Sequence, residues 1–94
     1  MVLNLEYNTS SEKLEKAISL VKDIIKKNKD TDDESVVTFD NFGNSSLDVQ
    51  VIYWIKDLNK ISDVKNDENF EIKRKLDRKK INFAFPSRTV YLKK

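Results

Sequence analysis

Ser45-Ser-Leu-Asp-Val-Gln-Val-Ile-Tyr-Trp-Ile55 is the clearest element of this 94-residue chain. Leu47, Val49, Val51, Tyr53 and Ile55 recur at every second position, the period of a strand with one buried face. Asp48 and Gln50 point the other way, joined at the far end by Ile52 and Trp54. Gly43-Asn44 precedes it, and both residue types tolerate positive φ. A hairpin turn is therefore expected, pairing the strand with Ser35–Phe42, where Val37 and Phe39 share a face.

Working outward, Val2-Leu-Asn-Leu-Glu-Tyr7 also alternates and reads as a first strand. Thr9-Ser-Ser-Glu12 has capping-box spacing, with the Thr9 hydroxyl as cap. Leu14, Ala17, Ile18, Val21, Ile24 and Ile25 follow at helical spacing, an amphipathic helix whose apolar stripe needs a sheet to cover. Asp30-Thr-Asp-Asp-Glu34 reads as a solvated acidic loop. It fails the calcium-loop pattern, which needs Gly at its sixth position and Glu at its twelfth; Ser35 and Asn41 stand there. A second helix is expected from Ser62 to about Lys79, with Ile61, Val64, Glu68, Ile72 and Leu76 near one face and Phe70 off it. Ile81, Phe83 and Phe85 then alternate as a strand ended by the only proline, Pro86, and Thr89-Val-Tyr-Leu92 is a short extra strand. The order β-α-β-β-α-β predicts a single α+β domain over residues 1–94. Its class is a ferredoxin-like split βαββαβ sandwich: one antiparallel sheet, two helices on one face, and a tail strand in 86–94.

Composition narrows the chemistry. The chain has no cysteine and no histidine, which excludes disulfides, zinc sites built on Cys or His, and catalytic arrangements that need either. No Gly-rich phosphate loop or recognisable catalytic carboxylate pattern is present, so neither enzyme activity nor a cofactor is expected. No apolar run approaches the ~20 residues that span a bilayer, and the N-terminus lacks the basic start and apolar core of a signal peptide. Asn8-Thr-Ser10 and Asn44-Ser-Ser46 match the glycosylation pattern but carry little meaning without such a signal. Net charge is +2, unevenly placed: Lys73 to Lys94 holds nine Lys or Arg against one acid, Asp77.

These elements resemble the C-terminal cytoplasmic domain of the small-conductance mechanosensitive channel (MscS) family. There, a strand opening with paired serines, here Ser45-Ser46, is followed by a helix and an "Ile-x-x-Pro-Phe-Pro-Gln-x-Thr-Val" ending, here Ile81-Asn-Phe-Ala-Phe-Pro-Ser-Arg-Thr-Val90. Tyr7-Asn-Thr-Ser10 is similar to the family's "Tyr-x-Thr-Asp", with Ser10 in place of an aspartate and still able to cap. Asn69 and Ile72 match family positions on the second helix. Lys80 stands where a helix-ending Gly is common, Ala84 where the first proline of the ending is common, and Ser87 where Gln is frequent.

The resemblance implies a non-enzymatic piece of an ion channel. Family members are homo-heptamers whose cytoplasmic parts form a hollow cage below the pore, with side portals. The domain forms the lower cage, and the final strands of seven subunits close a parallel barrel; Thr89, Val90, Tyr91 and Leu92 match that strand. The expected partners are the chain's own subunits, and the expected place is the cytoplasmic face of the cell membrane. Membrane attachment would come only through transmembrane helices upstream.

Individual residues admit two roles each. Ile52 and Trp54 are either a subunit interface or a patch covered within one subunit by the tail strand or a loop. Phe70 is either an interface residue or one of the scattered exposed apolar side chains that any surface carries. Lys73, Arg74, Lys75, Arg78, Lys79 and Lys80 suit an electrostatic role in the vestibule, or a contact with nucleic acid or anionic lipid. Otherwise they form a solvated helix face whose cations favour its C-terminal end.

Two other function classes use the same fold order. A module binding single-stranded nucleic acid needs aromatic residues in the middle of the two central strands, where this chain has Asn4, Glu6, Asp48 and Gln50. No nucleic-acid partner is therefore expected. A ligand-binding regulatory domain is the remaining alternative, with no convergent polar pocket legible in the sequence.

Overall fold

A computed structural model describes residues 1–85. Its elements are β1 (Val2–Glu6), α1 (Ser11–Lys27), β2 (Thr31–Phe42), β3 (Ser46–Ile55) and α2 (Ile61–Arg78), the last preceded by a 3₁₀ turn at Leu58–Lys60. The three strands form an antiparallel sheet in the order β1-β3-β2. The long strand is thus central, and β1 and β2 run parallel to each other on either side of it.

The register places the apolar positions together. Leu3 pairs with Val49, Leu5 with Leu47, and Val37 with Val51. These six side chains are buried and form one core with Leu14, Ala17, Val21, Ile24 and Ile25 of α1 and Ile72 and Leu76 of α2. Both helices therefore cover the same sheet face, the α+β sandwich expected from the periodicity. Burying each of the larger side chains contributes roughly 1.5–3 kcal/mol.

The fourth strand is rudimentary. Ile81 is buried in the core, and Phe83 makes a single antiparallel bridge to Leu5. Glu6 N donates to Asn82 O at 3.0 Å and Ala84 N to Asn4 O at 2.8 Å. This segment lies on the free edge of β1, where a split-βαβ order puts its last strand, but it does not extend: Phe85 is 81% exposed. The expected tail strand, Thr89–Leu92, lies outside the described residues.

Three local expectations are corrected. The helix α1 is capped by Ser10, not Thr9: Lys13 N donates to Ser10 Oγ at 3.2 Å, while Thr9 N donates to Glu6 O in the preceding turn. The acidic run is strand, not loop, from Thr31 on. Thr31 pairs with Ile55, its buried hydroxyl donates to Ile25 O at 2.7 Å and Asn28 O at 3.0 Å, and Lys56 N donates to Asp30 O at 2.9 Å. Asp32, Asp33 and Glu34 stay exposed on this outermost strand, where charges discourage unwanted edge pairing. The β2–β3 hairpin is present, but Gly43 does not adopt positive φ. Its role is close approach: a Cβ there would lie 2.7 Å from Ser46 Oγ, and Gly43 N donates to Ser46 O at 2.7 Å.

The end of α2 bears out the sequence comparison at Lys80. This residue has φ 59°, the only positive φ at a non-glycine residue among those described. Lys80 N donates to Asp77 O at 3.0 Å and Ile81 N to Leu76 O at 2.9 Å, the paired bonds of a Schellman motif. Leu76 and Ile81, the apolar pair of that motif, are both fully buried.

Candidate assembly surface and helix seam

The sheet face away from the helices divides into a polar end and an apolar end. At the polar end, Asn4 and Asn41 flank Asp48 across the sheet. Asn4 Nδ2 donates to Asp48 Oδ1 at 2.8 Å, Asn41 Nδ2 to Oδ2 at 3.4 Å, and Ser46 Oγ to Oδ1 at 2.7 Å. These bonds, the Ser46 hydroxyl first and the Asn4 amide next, hold the Asp48 carboxyl below its ordinary value. At this end the outward positions of the central strands thus present a hydrogen-bonded polar network, not stacking aromatics.

At the apolar end, Val36 and Ile52 face each other across β2 and β3. Trp54 follows two residues later on the same face, 50% exposed, and Val2 is exposed on β1. Four outward apolar side chains on three adjacent strands make a patch that a fold of this size does not need for its own core. Among the described residues nothing covers it. Phe70, 55% exposed, lies elsewhere, along the groove between α1 and α2, with the guanidinium of Arg74 over its ring at 5.4 Å. The structure therefore unites Ile52 and Trp54 but leaves Phe70 apart from them. Thr89, Val90, Tyr91 and Leu92 lie outside the described residues.

The basic positions are not alike. Lys73 Nζ binds Asp77 at 2.8 Å and sits 5.8 Å from the ring centre of Phe83. Arg74 reaches Glu71 at 3.8 Å. Lys75 is half-buried along the seam between the helices. Arg78, Lys79 and Lys80 are exposed at the C-terminal end of α2, and no ion pair joins them among the described residues. Such cations complement the negative end of the helix dipole.

Sequence reasoning did not single out two features. Tyr7, Phe39 and Phe42 form an exposed aromatic cluster, with ring centres 6.4 Å (Tyr7–Phe42) and 5.0 Å (Phe39–Phe42) apart. Glu68 is the other. It occupies the core stripe of α2 between Val64 and Ile72, is 1% exposed, and its Oε2 has no hydrogen-bond partner. The signal was visible as an acid at an apolar position of a helical repeat. Among the described residues, no cluster of three or more acidic side chains is arranged to hold a metal ion, and no helix is long and apolar enough to cross a membrane.

The family model for the C-terminal part of the mechanosensitive ion channel MscS matches residues 1–83. The chain belongs to the MscS family. Among curated relatives, it is 40% identical to the large-conductance mechanosensitive channel MscMJLR of Methanocaldococcus jannaschii, across 98% of this chain and 27% of that protein. It is 32% identical to the small-conductance mechanosensitive channel MscMJ of the same organism, across 100% of this chain and 27% of that one. An uncharacterized MscS family protein of Aquifex aeolicus is 29% identical across 98% of the chain. The chain thus spans about a quarter of the length of these relatives. The two Methanocaldococcus relatives are named as channels, not enzymes.

Proposed function

We propose that residues 1–94 form one cytoplasmic domain of a mechanosensitive channel, assembled as a homo-heptamer and shaping the vestibule through which ions reach the pore. The carrying observation is the match of the whole chain to channel proteins, at 40% identity for one of them. The domain performs no catalysis. Bilayer tension opens the membrane-spanning part, while this part holds subunits together and sets the potential along the ion path.

The patch of Val36, Ile52 and Trp54 supports the assembly role. An exposed Trp beside two branched apolar residues is the composition of an interface anchor. Thr89–Leu92, outside the described residues, matches by resemblance the family segment through which neighbouring subunits pair, and a strand that short needs such partners. Lys73, Arg74, Lys75, Arg78, Lys79 and Lys80 favour anions along the path.

Fractionation of the source cells with an antiserum against this domain tests the proposal. A membrane-bound band far above 11 kDa, moved to a ladder of seven species by a cross-linker, is expected. A soluble 11 kDa band with no ladder overturns it.

A further inference from the structure

Glu68 is placed where a carboxylate does harm. The stripe Val64–Glu68–Ile72–Leu76 is the face by which α2 packs on the fold, and all four side chains are fully buried. A cavity of about 570 Å³ opens along the seam between α1 and α2 and is lined by Glu68 itself, Ile24 and Asn28. The charged groups around it come from every packed element. From α1 come Asp23 and Lys27, which bind each other at 3.0 Å. From α2 come Asp67, Glu71, Arg74 and Lys75. Outside the cavity lining, the Tyr53 phenol of β3 also feels Glu68: it is pushed up by its own burial and by the Glu68 charge. Among the described residues, no ion pair forms between Glu68 and any of these cations.

A buried carboxylate with an unpartnered oxygen is costly, and protonation relieves the cost. We propose that Glu68 makes the seam between α1 and α2 a proton-operated joint, closed while the carboxyl carries its proton and loosened when the carboxylate forms. Burial pushes the Glu68 carboxyl up from its ordinary 4.5 to about 7; the Asn28 side chain offsets part of this, and Asp67 and Glu71 add to it. The chain has no histidine, the side chain whose ordinary charge change falls between pH 5 and 8.

The direction follows from linkage. The folded state holds this proton more tightly than the unfolded chain does. The stabilisation is fully present below pH 4.5 and is lost as pH rises through about 7. Above that, the folding equilibrium constant is lower by on the order of 100-fold. A loosened α2 also loses its hold on Ile81 and the adjoining bridge at Phe83, so the change reaches the edge of the sheet.

The test is the thermal midpoint of the 94-residue chain from pH 5 to 8.5, beside Glu68→Gln, which keeps the shape and cannot ionise. The wild-type midpoint is expected to fall between pH 5.5 and 7.5, and that of Glu68→Gln to stay level there. Equal falls in both proteins overturn the proposal. Should Glu68→Gln not fold, the carboxyl ¹³C titration of Glu68 in the wild-type chain decides: a midpoint near 7 supports the joint, and one near 4.5 overturns it.

Discussion

Replacing Lys80 by glycine should stabilise this domain, although it deletes a side chain and a charge. Lys80 sits at φ 59°, where an L-residue's Cβ crowds the following carbonyl at a cost of roughly 1–2 kcal/mol. Glycine removes that cost and gives back roughly 0.5–1 kcal/mol through the greater freedom of the unfolded chain. The net gain is about 0.5–1 kcal/mol, which in a domain of this size raises the thermal midpoint by roughly 2–8 °C. Nothing else in the motif depends on the side chain. The bonds Lys80 N to Asp77 O and Ile81 N to Leu76 O are main-chain bonds, and so is the Lys80 carbonyl that accepts from Lys13 Nζ at 3.3 Å. Lys80→Ala separates backbone from charge, because alanine keeps the Cβ. Calorimetry of the three proteins should give a raised midpoint for Lys80→Gly and a nearly unchanged one for Lys80→Ala. Equal shifts in the two variants would refute the assignment of strain to the backbone.

Other expectations follow from the same contacts. Ser10→Ala should cost about 1 kcal/mol in urea unfolding, and Thr9→Ala much less, since only the Ser10 hydroxyl caps α1; the reverse ranking would restore Thr9 as the cap. Trp54→Asp should leave the thermal midpoint of the isolated chain within a few degrees, because the indole is half exposed, yet weaken cross-linking between subunits of the full-length protein; unchanged cross-linking removes Trp54 from the interface. Neutralising Lys73, Arg74 and Lys75 together should shift the reversal potential of the full-length channel in a salt gradient towards cation preference, and no shift counts against an electrostatic role for the α2 cations.

Legibility in the sequence tracked the strength of the local pattern. β3 and α1 could be read because their apolar periods are nearly unbroken and each buries one face. Lys80 was legible by comparison alone: nothing in its own chemistry announces a left-handed helix end, and only its place in the family pattern pointed there. The start of β2 was not legible, because Asp32, Asp33 and Glu34 have low strand propensity. That segment is held from outside itself, by the Thr31 hydroxyl on the end of α1 and by the pairing of Lys56 with Asp30. The cap moved by one residue because Thr9, Ser10 and Ser11 offer three successive hydroxyls, and which one serves depends on how the chain leaves β1. The exposed apolar patch was half legible. Ile52 and Trp54 could be assigned to the outer face by alternation, but Val36 joins them only through the register of β2 against β3. Glu68 was placed on the correct face, yet that it forms no ion pair among the described residues is a tertiary fact.

The central claim is that this domain serves a pore opened by membrane tension. Patch recording of the full-length protein, reconstituted in liposomes and held under graded suction, tests it most directly. The account predicts discrete conductance steps whose frequency rises with suction. A membrane that stays silent up to its rupture tension, with the protein shown to be inserted, would contradict it.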